Sequence, residues 1–168
     1  MLLIAYFVAP STDYAFFARY LHVISGIMWI GLLWYFNFVQ IPTMPSIPDE
    51  LKPAIGKHIA PAALFWFRWA ALATVITGLW TAQSQGYLHE ALMLKPSHAL
   101  IGLGMWMAII MAGNVWFVIW PKQKIALGLV EADAADKPAA ARTAMLFSRT
   151  NTLLSIPMLY AMVGQMHG

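Results

Sequence analysis

Cysteine is absent from the 168 residues, which excludes disulfides, iron–sulfur clusters and thiolate metal sites. Histidine, methionine and carboxylate are left as the side chains able to hold a metal. Charge is scarce too: ten per cent of the residues are charged, against about 25% in an ordinary soluble domain. All seven acidic residues lie between the apolar runs or just ahead of the first, so a proton relay through intramembrane acids has no support. There is no P-loop, nucleophile elbow, zinc motif or pair of catalytic carboxylates. The first residues, MLLIAYFVAPSTD, lack the basic leader and small-residue cleavage site of a signal peptide and are too short to span a bilayer. A short interfacial or packing segment is expected there.

What is present is apolar: 61% of the chain is hydrophobic, more than a soluble fold of this size can bury. A spanning helix needs roughly 20 mostly apolar residues, and four stretches meet that length, at about 17–40, 60–83, 97–120 and 143–165. Proline, polar residues and charge fill the breaks, and the third break leaves room for a short surface helix. Ser11, Thr12 and Asp13 precede the first span as N-cap candidates, and Pro96-Ser97 precedes the third. Uninterrupted apolar runs exclude a barrel. The expected fold is therefore all-α: an integral, multi-pass four-helix bundle forming one domain over residues 1–168, with the lipid bilayer as its first partner.

The net charge of +3 is spread thinly between the spans, which suits membrane orientation and not nucleic acid. Lys52, Lys57, Lys122, Lys124, Lys137 and Arg142 lie in the first and third connections, against Arg19 and Lys95 on the opposite face. Positive residues stay in the cytoplasm, so both termini are expected outside it.

The first and third spans align on each other. Arg19 stands three residues before His22 and Gly26 four after it; Lys95, His98 and Gly102 repeat the spacing. Trp29 and Trp106, then Asn37 and Asn114, follow at nearly matched offsets, as in a parallel repeat. Both histidines then sit just inside one membrane face on parallel helices. Two imidazoles at one depth suit the axial positions of haem b. Gly26 and Gly102 would leave space for a flat ring, and Arg19 and Lys95, one turn nearer water, would meet its propionates. A histidine at an interface is also often simply wet or bonded to a carbonyl. His58, His89 and His167 are the substitutes, and copper, which histidine and methionine suit, is a second metal to consider among eleven methionines.

A second group of polar residues falls in the other half of the bundle: Asn37 and Gln40 closing the first span, Asn114 in the third, and Arg149, Asn151 and Thr152 opening the fourth. They read as a substrate pocket or as an interhelical hydrogen-bond network. Arg68 lies nearer the middle of the second span, where an ionisable group is costly enough to suggest a role toward a cofactor carboxylate, an anionic substrate, or a lock on the bundle through carbonyl contacts. Trp34, Trp80 and Trp120 sit near span ends, as interfacial anchors do.

Several blocks resemble the membrane domain of the bacterial cytochrome-c-linked urate oxidases: LHVISGIMWIG from Leu21 to Gly31, YFNFVQ from Tyr35 to Gln40, Asn114-Val115-Trp116 with Trp120-Pro121-Lys122-Gln123, and RTNTLLSIPM from Arg149 to Met158. More distantly, the histidine opening the first span is similar to that of the small membrane protoporphyrinogen oxidases and the copper-resistance membrane domains. The resemblance implies a bacterial inner-membrane location and haem b bound by membrane histidines. The longer urate oxidases carry further spans and a cytochrome c domain with a Cys-x-x-Cys-His site, so it also implies that any haem c belongs to a separate partner cytochrome or oxidase subunit. Three functions follow as expectations: a haem b electron carrier with His22 and His98 as ligands, an oxidoreductase acting on a purine such as urate or on a porphyrin-like substrate, and a cofactor-free accessory subunit of a respiratory complex.

Overall fold

Backbone polar groups in hydrocarbon have to be bonded within their own segment, and helices meet that demand run by run. A computed structural model of the chain describes residues 14–165, and among these there are helices and turns but no strand. The helices are α1 (Tyr14–Ser46), α2 (Lys52–Ser84), α3 (Leu88–Leu92), α4 (Pro96–Ala126) and α5 (Asp136–Gly164). Ser11, Thr12, Asp13 and the rest of the N-terminal segment, with His167, lie outside the described residues.

Each apolar run is helical, and each helix outruns its apolar stretch. α1, α2 and α4 are long and apolar enough to cross a membrane. α5, with 29 residues, has the length, but Asp136, Lys137, Arg142 and Arg149 together with Ser148, Thr150, Asn151 and Thr152 leave it short of the same apolar composition. The third connection holds no separate surface helix. Its charged residues instead extend α4 as far as Ala126 and begin α5 at Asp136.

Three stretches of the long helices widen into π-helix: Tyr35–Gln40, Ile55–Ile59 and Asn114–Ile119. Each stops two residues before a proline, at Pro42, Pro61 and Pro121. A proline has no N–H to give to the carbonyl four residues back, and its ring pushes that carbonyl aside. The displaced carbonyls belong to Phe38, Lys57 and Phe117, all inside the widened turns, so the proline spacing accounts for the π geometry. Gly86 and Gly128 end α2 and α4 in the left-handed region, at φ 81° and 69°. In each case the next residue's N–H reaches back to close the helix, Tyr87 to the Ala82 carbonyl at 3.1 Å and Leu129 to that of Lys124 at 2.8 Å.

α1 packs along α2, and α4 along α5; the seam between α1 and α5 is much sparser. The main core lies where all four long helices meet, around Trp29, Leu33, Phe67, Met111 and Val115, each 2% exposed or less. The sparse seam leaves a cavity on one side of that core.

Candidate functional site

The cavity has a volume of about 620 Å³, within the roughly 300–1,000 Å³ usual for small-molecule and cofactor sites. Its polar groups gather at the end of the bundle where α2 turns into α3: Arg19, Thr81, Gln85 and Tyr87. Deeper in, Trp29 and Trp34 of α1 border it, and α4 and α5 supply Met105, Ala108, Met158 and Met162. Val23, Ile27 and Val163 border it while being exposed, so it opens sideways between α1 and α5 toward whatever surrounds the bundle. A site polar at one end and apolar in its depth suits an amphipathic ligand.

His22 stands on this wall. Its Nδ1 lies 2.9 Å from the Thr74 carbonyl oxygen, and as the N–H tautomer it donates there. Nε2 has no partner among the described residues. The ring fits because residue 78 is glycine: a Cβ there would come within 2.8 Å of the His22 Cε1. Gly26, one turn along α1, also borders the cavity, and a Cβ on it would meet only the Thr74 methyl at 3.9 Å. Trp29, which borders the cavity, is fully buried, and its indole N–H lacks a partner among the described residues. A buried donor without an acceptor is costly. Trp34 by contrast gives its N–H to the Ser155 hydroxyl at 2.9 Å.

His98 occupies a different setting. It precedes α4 in a 3₁₀ turn, its Nδ1 is 3.0 Å from both a Glu90 carboxylate oxygen and the Ser97 hydroxyl, and its ring stacks on Tyr87 at 5.3 Å between centroids. It does not line the cavity; Tyr87, the ring it stacks on, does. Lys95 pairs with Glu90 at 3.5 Å. Gly102 leaves no room for a macrocycle, because a Cβ on it would overlap the Ala91 carbonyl; its role is the close approach of α3 to α4. Of the paired residues expected at one depth, the structure thus brings Arg19, His22 and Gly26 to the cavity and holds Lys95, His98 and Gly102 behind α3. His58 and His89 are exposed. No group of three or more His, Asp or Glu side chains suited to a metal ion occurs among the described residues.

Arg68 is also away from the cavity. Its guanidinium lies 3.9 Å from the Trp120 ring centroid and 5.3 Å from that of Phe65, and its Nη1 reaches the Leu64 carbonyl at 3.5 Å. The polar residues of the other half bond mostly to one another. Asn37 donates to Ser148 Oγ at 2.8 Å and to the Leu33 carbonyl at 2.9 Å, Asn114 donates to Asn151 Oδ1 at 2.9 Å, and Asn151 donates to the Met111 carbonyl at 2.9 Å. Gln40 Oε1 is buried without a partner among the described residues, and Arg149 is exposed on the outer face of α5. Gly78, Thr74 and Met105 were not singled out by sequence reasoning; the one signal available was a glycine four residues after a threonine within an apolar run.

The urate oxidase N-terminal family matches residues 80–168, from the end of α2 through α3, α4 and α5. No curated protein and no solved structure matches the chain. The matched region holds the α4 and α5 walls of the cavity and the Asn114–Asn151 bond, and it covers more than half of the 168 residues. The chain belongs to the urate oxidase N-terminal family.

Proposed function

We propose that this chain is a membrane haem b protein that carries electrons between a reduced donor and a partner cytochrome or oxidase. The observation that carries the reading is His22, with Nδ1 committed to the Thr74 carbonyl and Nε2 unshared on the wall of a cavity of about 620 Å³. Metal-binding histidines characteristically give the other ring N–H to a carbonyl or carboxylate, which sets the tautomer and the ring plane. The residues present fit a haem. Gly78 makes space for the imidazole and Gly26 keeps the adjacent wall low. Arg19 at the polar end suits propionates.

When bound, the haem supplies one-electron chemistry; the chain's own residues hold and shield it. Thr74 orients His22, the Met and Trp side chains of the deep wall keep water out, and Arg19 offsets negative charge at the mouth. In the same reading α5 is a fourth span, the six basic residues of the first and third connections face the cytoplasm, and both termini face away from it in a bacterial inner membrane. Any haem c acceptor lies outside these 168 residues, since they contain no cysteine.

The test is a reduced-minus-oxidised spectrum of the purified chain produced with supplied haem, beside His22→Ala. A b-type signal at about one haem per chain that disappears in His22→Ala supports the reading. No signal in the unaltered chain sinks it.

A further inference from the structure

Resting on the haem reading, we infer that the second axial ligand is the thioether of Met105 and not an imidazole. His22 is backed by Thr74 and Gly78 of α2, so a haem held by its Nε2 in the cavity would be met from the other side by the α4 and α5 wall. The donors on that opposite wall are sulfur: Met105 on α4, and Met158 and Met162 on α5. His98 has Tyr87 stacked on its ring and Glu90 on its nitrogen, and lies outside the cavity lining.

Position selects among the three. A small recess of about 30 Å³ adjoins the main cavity, and it is walled by His22, Thr74 and Gly78 on one side and by Met105 and Met162 on the other; Met158 is absent from it. Gly78 and Met105 both wall this recess, so Met105 stands close to the glycine under the His22 ring. Met162 is engaged elsewhere: its terminal methyl lies 3.3 Å from where a Cβ on Gly104 would be, filling the notch between α4 and α5. Met105 is buried and unbranched, with a soft sulfur suited to haem iron.

Histidine–methionine ligation has signatures that bis-histidine ligation lacks. The ferric protein shows a sulfur-to-iron charge-transfer band at the red end of the visible spectrum, and methionine raises the midpoint potential relative to a second imidazole. The experiment compares the full chain with M105L, M105H and M162L, each purified with haem supplied; Met-to-Leu exchanges conserve volume and are well tolerated in cores. The expected result is a charge-transfer band in the unaltered chain and in M162L, its loss in M105L with haem content maintained by His22, and a low-spin haem of lower potential in M105H. A band that survives M105L, a band lost in M162L instead, or a bis-histidine or high-spin spectrum in the unaltered chain overturns the Met105 assignment alone. Absence of haem from the unaltered chain overturns this assignment and the reading beneath it together.

Discussion

The imidazole of His22 lies directly over Gly78, with its Cε1 2.8 Å from the place a Cβ would take. Alanine at 78 gains helix propensity of about 1 kcal/mol over glycine. It also forces the ring off the Thr74 carbonyl, and overpacking of this kind typically costs about 1–3 kcal/mol. Gly78→Ala is therefore expected to change thermal stability by no more than about 2 kcal/mol while reducing haem per chain several-fold. Gly113→Ala, at a position outside the cavity lining where a Cβ meets nothing within 4 Å, is the matched control and keeps its haem. Equal haem content in the two variants would show that the ring does not depend on the glycine.

The contrast between Gly78 and Gly102 shows where sequence reasoning runs out. Length and apolarity place the helices, because hydrocarbon allows little else, and the prolines mark where the helices widen. His22, Arg19 and Gly26 were legible because they share one face of one helix, and a 3.6-residue period is enough to group them. His98 and Gly102 have the same spacing as His22 and Gly26, yet their surroundings come from Tyr87, Glu90 and Ala91, in a connection that folds back as α3. No pattern within the third span reports that fold-back. Gly78 and Met105 were illegible for a related reason: an apolar run shows that its residues are buried in lipid or protein, but not which neighbouring helix each one meets. Arg68 stood out as an ionisable group within an apolar run, but its nearest ring lies more than fifty positions along the chain, at Trp120, which no local pattern reports.

Arg68 makes the second prediction. Its guanidinium lies 3.9 Å from the Trp120 centroid, and Trp116 donates its indole N–H to the Arg68 carbonyl at 3.1 Å, so α2 and α4 are joined at this level by both side chain and backbone. A cation–π contact contributes about 0.5–2 kcal/mol, rising with its desolvation. Arg68→Ala and Trp120→Leu should each lower stability by about 1–2 kcal/mol in detergent unfolding, and the double variant should lose less than the sum, since both remove one contact. Arg68→Lys should recover only part of the loss, because an ammonium does not stack as a planar guanidinium does. Haem content and spectrum should be unchanged in all of them. Loss of haem in Arg68→Ala would restore the role toward a cofactor carboxylate that the sequence suggested.

The last prediction concerns the mouth of the cavity, where Tyr87 is half-buried between the connection and Arg19. Burial raises the pKa of its phenol above the ordinary tyrosine value, and the positive charge of Arg19 pulls it partly back. The folded chain therefore keeps a proton that the unfolded chain gives up near about pH 10. Stability from this group is fully present below that pH and is lost as pH rises through the higher pKa of the folded protein. Removing Arg19 removes the favourable charge beside the phenolate, so Arg19→Ala should move the Tyr87 titration to still higher pH. Phenolate absorbance followed between neutral and strongly alkaline pH, with Tyr87→Phe as the subtraction, measures it. A Tyr87 that titrates like an exposed tyrosine, or one indifferent to Arg19→Ala, would mean that the two side chains do not share the mouth. The polar end of the cavity would then lack the charge on which its preference for an anionic group depends.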